Sequence, residues 1–248
     1  MAVFPAPQNE CVLRRQRGVR HIYAAPRVVS QPERHHRKPA FLDVLGDVRG
    51  RRVLDLGCGD GRFGRNLLDA GALSYLGVDA SANRAALADQ TLPGCVRHQR
   101  IEEFTAPPGS MDLVVSRLAL HYVSDVGAVL RRVYATLVHS GRLVFSVEHP
   151  IITSSDQAWQ GRGPRQAWLV DDYFVTGRRE TEWMGSRVVK FHRTVEDYVS
   201  LIQSAGLRLA TLREPAPAVQ RFASQQEFRR HQRIPLLLLL SAIGEGSG

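Results

Sequence analysis

One segment constrains the fold of this chain more than any other: a short aliphatic run that breaks straight into three glycines at alternate positions, Val53-Leu54-Asp55-Leu56-Gly57-Cys58-Gly59-Asp60-Gly61. Glycine adopts positive φ at little steric cost and lets a backbone approach a ligand closely. The run therefore reads as a strand over Arg52 to Leu56 feeding a ligand-binding turn. Beyond it, Phe63, Asn66, Leu67 and Ala70 recur at helical spacing within Arg62 to Ala70. Strand, turn and helix in that order open a layered α/β fold. The turn is not a dinucleotide fingerprint, because that motif wants its third glycine at residue 62, which is Arg. Asp55 also argues against a pyrophosphate ligand, since a carboxylate beside the turn repels phosphate and attracts a cationic amine.

The alternation continues along the chain. Tyr75 to Val78 reads as a second strand ending at Asp79, with Ser81 able to cap a helix through Gln90. Cys95 to Gln99 and Asp112 to Ser116 read as the third and fourth strands. Asp125 to Val138 reads as a helix, with Val126, Val129, Leu130, Val133 and Leu137 on one face, and Leu143 to Val147 as the fifth strand. Between Pro150 and Arg193 helical periodicity stops while Trp159, Trp168, Tyr173, Phe174, Trp183 and Phe191 appear, which predicts an inserted β-rich lid. Thr194 and Asp197 form a capping-box-like start for a helix that Gly206 ends, followed by strands over Leu207 to Arg213 and Leu236 to Ser241. The expected organisation is a basic N-terminal arm over 1–36, a Rossmann-like core over 37–149, a substrate lid over 150–193, and the remainder of the core over 194–248.

Of the 248 residues, 33 are Lys or Arg and 24 Asp or Glu, a formal charge of +9. The excess is uneven: residues 1–52 carry 11 basic and 4 acidic side chains, whereas 53–212 carry 17 of each. Only Lys38 and Lys190 are lysines, a bias that points to codon usage rather than to function. A solvated arm accounts for the basic N-terminus better than a nucleic-acid interface, so a nucleic-acid partner is disfavoured. The longest apolar run, around Leu236 to Leu240, is far short of the ~20 residues a membrane span needs. Met1 to Val12 lacks the continuous apolar stretch of a secretory signal. Three widely spaced cysteines, Cys11, Cys58 and Cys95, make neither a disulfide framework nor a metal cluster. A cytoplasmic monomer or homodimer with no metal is the expectation.

The carboxylate of Asp79, at the end of the second strand, can accept hydrogen bonds from both hydroxyls of a ribose. With the turn, this implies a cationic nucleoside without phosphates. These residues resemble class I S-adenosylmethionine-dependent methyltransferases, whose first motif is commonly VLDxGCGxG, and the resemblance runs over most of residues 38–213. It implies a seven-stranded sheet with six parallel strands and an antiparallel last one, with S-adenosyl-L-methionine lying across the carboxyl ends of the first two strands. By that resemblance Asp55, Gly57, Cys58 and Gly59 approach the methionine moiety, Asp79 and Ala80 the ribose, and Ile101 and Glu102 the adenine edge. Arg100 stands where many relatives have Asp, so Glu102 or a backbone carbonyl must replace the usual carboxylate. Ser116-Arg117-Leu118-Ala119-Leu120-His121-Tyr122 resembles the family's SxLALHYV-type segment, which places Arg117 toward the cofactor and His121 and Tyr122 toward the acceptor.

Active sites in such sheets form at strand carboxyl ends, so Glu148 and His149, after the fifth strand, point to the acceptor. His149 is the leading candidate base, with His121 and Glu148 beside it; the alternative for each histidine is a hydrogen-bonded structural role. Trp168, Tyr173, Trp183 and His192 are the expected acceptor-pocket residues, because ring faces suit aromatic or cationic groups, although a lid also needs a core of its own. The VDDYF and KFHRT runs look similar to a group of bacterial methyltransferases, some of which serve natural-product pathways. The expected activity is methyl transfer to a small aromatic or heteroaromatic acceptor, indole-like, phenol or amine. An RNA methyltransferase using the basic arm, and a cofactor-binding regulator without turnover, are the alternatives.

Overall fold

The computed structural model describes residues 33–156, 168–183 and 186–244. Strands buried along nearly all their length must be covered on both faces; β1 (Arg52–Leu56), β2 (Ser74–Asp79), β4 (Met111–Arg117) and β9 (Leu237–Gly244) are of that kind, as is the second half of β5 (Leu137–Glu148). With β3 (Val96–His98) and β8 (Leu207–Arg213) they form a seven-stranded sheet in the order β3-β2-β1-β4-β5-β9-β8. The first five pair in parallel, and β9 runs antiparallel to both β5 and β8. Six strands thus share one direction and β9 opposes them, as expected. The strand order reverses between β1 and β4, which opens a crevice at their carboxyl ends.

Alternate residues of each strand serve opposite faces. Leu54, Leu143 and Phe145 pack with Val129, Leu130 and Val133 of α4 (Val126–Thr136) and with Tyr198 and Ile202 of α6 (Val195–Ser204). Val53 and Val144 instead meet α1 (Glu33–Leu45), α2 (Arg62–Asp69) and α3 (Ala82–Thr91) through Phe41, Leu45, Phe63, Leu67 and Ala88. The expected caps are present: Ser81 accepts from the Arg84 N–H, and Thr194 and Asp197 make a reciprocal capping box on α6.

The differences from expectation fall at boundaries. The helix expected to run to Val138 stops at Thr136, because Leu137 turns extended (φ −71°, ψ 142°) and pairs with Met111, so β5 starts six residues before Leu143. Ser140 at φ 60° absorbs the resulting irregularity within β5. Helix α1 runs across the boundary drawn after residue 36, and α7 (Gln225–His231) interrupts the connection between β8 and β9. Within the expected lid, β6 (Gly177–Trp183) and β7 (Ser186–His192) pair as an antiparallel hairpin preceded by the single-turn α5 (Pro150–Thr153). No helix among the described residues is long and apolar enough to cross a membrane.

Candidate active site

Gly57, Gly59 and Gly61 all take left-handed φ values, 83°, 63° and 74°. A Cβ at Gly57 would lie 2.4 Å from that of Ala119, so the turn can pack against the loop after β4 only without a side chain there. The Gly57 and Cys58 N–H groups both donate to the Val78 carbonyl, at 2.8 and 3.0 Å, which fastens the turn to β2. One residue on, the Asp79 carboxylate accepts from the Gly59 N–H at 2.8 Å and from the Ser81 N–H at 2.9 Å. A carboxylate offers about four lone-pair positions, so these two bonds orient it and leave capacity for further donors. The Ala80 carbonyl bonds His98 Nε2 at 3.1 Å, and Ile101 packs against the turn.

Asp55 is fully buried, and its Oδ2 accepts from the Tyr75 hydroxyl at 2.9 Å. Burial pushes its carboxyl up to about 6, against the pull of Arg117 and Tyr75, and Asp79 adds a smaller push. Its other oxygen, Oδ1, has no hydrogen-bond partner. Arg117 lays its guanidinium 3.7 Å from the centre of the Phe63 ring, and its buried Nε is likewise unbonded. A carboxylate with a spare acceptor and a guanidinium with a spare donor suit the ammonium and carboxylate of an amino-acid moiety. The Tyr75 ring crosses α2 where Gly64 leaves room for it; a Cβ there would sit 2.2 Å from the ring. Cys58, by contrast, turns its side chain into the core, where burial and the two carboxylates push its thiol up.

At the expected adenine edge, the Glu102 carboxylate is paired with Arg100 at 2.9 Å, and Arg132 donates to its backbone carbonyl. Neighbouring Gln99 donates through Nε2 to the Glu103 carbonyl at 2.9 Å. The residue at the unusual position, Arg100, thus engages the side chain expected to replace the missing carboxylate.

On the expected acceptor side, Leu118 holds a left-handed φ of 57° directly after β4, a conformation disfavoured for a branched aliphatic residue and characteristic of functional turns. His121 is buried, accepts from the Glu148 N–H through Nδ1 at 3.4 Å, and lies 4.3 Å ring to ring from the half-exposed Tyr122. Glu148 receives two bonds from Lys190 Nζ, at 2.8 and 2.7 Å, so strand β7 is tied to the carboxyl end of β5 by a nearly buried ion pair. His149 is also buried. Its Nδ1 accepts from the Ile151 N–H at 3.2 Å, which leaves the ring proton on Nε2, 2.7 Å from Glu214 Oε1. Burial lowers its pKa, opposed by Glu214.

His192 Nε2 donates to the Tyr173 carbonyl at 2.9 Å, which leaves Nδ1 to accept from the Thr153 hydroxyl at 2.8 Å. Burial lowers its pKa as well. Trp168 donates to the Ile151 carbonyl at 3.1 Å, and Tyr173 accepts from the Val195 N–H through its hydroxyl at 3.4 Å. Arg193 reaches the Val123 and Ser124 carbonyls, at 2.9 and 2.6 Å. These bonds bring the hairpin, α5 and the loop after β4 together around Glu148. The backbone of Trp183 closes the hairpin opposite Ser186, and Trp159 lies outside the described residues. Lys190 and Glu214 were not among the expected site residues. The isolated lysine in an arginine-rich chain was a readable signal for the first, whereas only the three-dimensional return of β8 exposes the second.

The glycine cradle, the orphaned oxygen of Asp55 and the oriented carboxylate of Asp79 fit an amino-acid nucleoside with a positive charge. A family model described as a methyltransferase domain matches residues 31–210. The chain belongs to that methyltransferase family. A solved protein from Listeria monocytogenes, described as an S-adenosylmethionine-dependent methyltransferase, is 31% identical, with 88% of this chain and 100% of that one covered at a TM-score of 0.80. An S-adenosylmethionine-dependent methyltransferase of Mesorhizobium loti is 36% identical, with 83% and 96% covered at a TM-score of 0.74. The trans-aconitate 2-methyltransferase of Acidovorax sp. is 26% identical over 224 residues, 82% of this chain and 86% of its own length. The methyltransferase described here is an S-adenosylmethionine-dependent enzyme.

Proposed function

We propose that this methyltransferase acts on a small aromatic or heteroaromatic acceptor, a phenol, amine or indole-like ring, of the kind met in natural-product biosynthesis, bound between the loop after β4 and the β6–β7 hairpin. S-adenosylmethionine supplies a sulfonium-bound methyl group as the electrophile. Asp55 and Arg117 would hold its amino-acid end beside the Gly57–Gly59 backbone, Asp79 would accept from its ribose hydroxyls, and Ile101 would wall the base. The observation that carries the cofactor half of this reading is the carboxylate of Asp79, oriented by two backbone N–H groups next to a left-handed glycine turn. The acceptor half rests on the rings of Tyr122, Trp168 and Tyr173 around the carboxyl end of β5.

In-line methyl transfer asks mainly for alignment and exclusion of water, and well-oriented reactants gain up to ~7 to 11 kcal/mol from positioning. Residues 117–122 and the hairpin supply that alignment in our reading. His149 could act as a base only by giving up its bond from Ile151 or its proton to Glu214, so its committed nitrogens favour an orienting role. A screen of ring acceptors with labelled S-adenosylmethionine, read as a mass gain of about 14 daltons for one CH₂, tests the acceptor class; turnover confined to non-aromatic compounds overturns it. Replacing Asp79→Ala should weaken cofactor binding by about 1.5 to 3 kcal/mol for each charge-assisted bond lost, measured by calorimetry. His149→Ala should leave cofactor affinity intact, and a loss of turnover with a flattened pH profile would restore the base reading.

A further inference from the structure

The carboxyl edge of the sheet is electrically divided. Asp79 ends β2 and Asp55 stands one residue before the end of β1, on the side that receives a cationic cofactor. At the opposite side, β8 ends at Arg213 and the chain crosses to β9 through residues 214–236, which emerge at the same edge because β8 runs parallel to β5. Both ends of this crossing are fastened beside the acceptor side: Glu214 bonds His149 Nε2 at 2.7 Å, and the Leu236 carbonyl accepts from the His149 N–H at 3.0 Å. Within it, Phe228 and His231 of α7 pack on Phe222, with ring centres 5.5 and 4.9 Å apart, and this small core turns the intervening Arg229 and Arg230 outward. Residues 213–236 hold five arginines and two glutamates, a net +3, whereas the body over 53–212 balances 17 basic against 17 acidic side chains.

We infer that the β8–β9 crossing is a cationic rim that selects small acceptors carrying a carboxylate or phosphate group. The inference rests on the methyltransferase reading and adds the charge class of its acceptor. Guanidinium groups match both oxyanions in geometry, and a cleft rimmed by one sign of charge raises the local concentration and association rate of the opposite one. A formal net +3 along the crossing suits an ion of a few charges. A polyanion such as RNA draws on about 6 to 10 phosphate contacts, which this rim does not supply.

The test uses the full chain saturated with S-adenosylhomocysteine and titrated calorimetrically with citrate, with pyrophosphate, and with a single-stranded RNA oligonucleotide. Binding of citrate or pyrophosphate that weakens with added salt, and that falls by about tenfold in Arg229→Gln/Arg230→Gln, supports the rim; which of the two binds tells carboxylate from phosphate. The double variant should retain S-adenosylhomocysteine affinity, since neither side chain belongs to the cofactor site. No binding of either anion, equal binding to the variant, or tighter arginine-dependent binding of the RNA overturns the inference. Failure of S-adenosylhomocysteine itself to bind the wild-type chain sinks the cofactor reading instead, so the two failures are told apart.

Discussion

In the proposed site, Asp55 would link cofactor affinity to pH through a single buried atom. An acid whose folded pKa lies above its unfolded value holds its proton more tightly when folded, so its contribution to stability is complete below about 4 and is lost as pH rises through about 6. A shift of that size corresponds to about 3 kcal/mol of strain in the unliganded enzyme at neutral pH. An ammonium brought to Oδ1 removes the strain, so affinity for S-adenosylhomocysteine should be high at neutral pH and fall as pH drops through about 6. In Asp55→Asn the pH dependence should flatten and the unliganded protein should be more stable at neutral pH. Calorimetric titrations from about pH 5 to about pH 8 check the first outcome and thermal melts the second; a profile unchanged in the variant would remove Asp55 from the binding step.

Among the elements, the hairpin depends on the Glu148–Lys190 pair. Truncating Lys190→Met would remove two charge-assisted hydrogen bonds from a carboxylate with under a fifth of its side chain exposed, a loss of about 3 kcal/mol, while the double change with Glu148→Gln should recover part of it. Denaturant unfolding of the three variants measures the coupling, and amide exchange across Gly177–His192 should accelerate in Lys190→Met alone. Glu148 and the isolated lysine each stood out in the sequence, but their pairing did not. The strands β1, β2 and β4 announced themselves because parallel strands buried on both faces read as unbroken aliphatic runs, and the glycine turn did so because φ near 83° at Gly57 restricts the choice of residue. The start of β5 did not, since Leu137 satisfies the helical stripe of α4 as well as the strand, and only its pairing with Met111 decides between them. Helix α7 was hidden by its brevity. The partners of His149 and Glu148 come from residues 65 and 42 positions away, and no local pattern carries such separations.

At the scale of the whole molecule, the sheet joins both core clusters, so cofactor bound at its carboxyl edge should stabilise the fold as a unit rather than one helix. A ligand that binds only the folded state adds about 2.7 kcal/mol at a hundredfold excess over its Kd. For a chain of this size each kcal/mol raises the melting temperature by about 2 to 4 °C, so S-adenosylhomocysteine at that excess should raise it by about 5 to 10 °C. The increment should shrink when the melt is run below about pH 6, where Asp55 protonates, and should nearly vanish in Asp79→Ala at the same ligand concentration. Because Val53, Leu54, Val144 and Phe145 place the same strands in both clusters, the shifted transition should remain single in calorimetry and coincide with loss of the far-ultraviolet helical signal. A ligand-dependent shift confined to one of two resolved transitions would mean that the crevice belongs to a unit that unfolds separately from the β8–β9 side, and with it the electrostatic division of the edge would lose its structural basis.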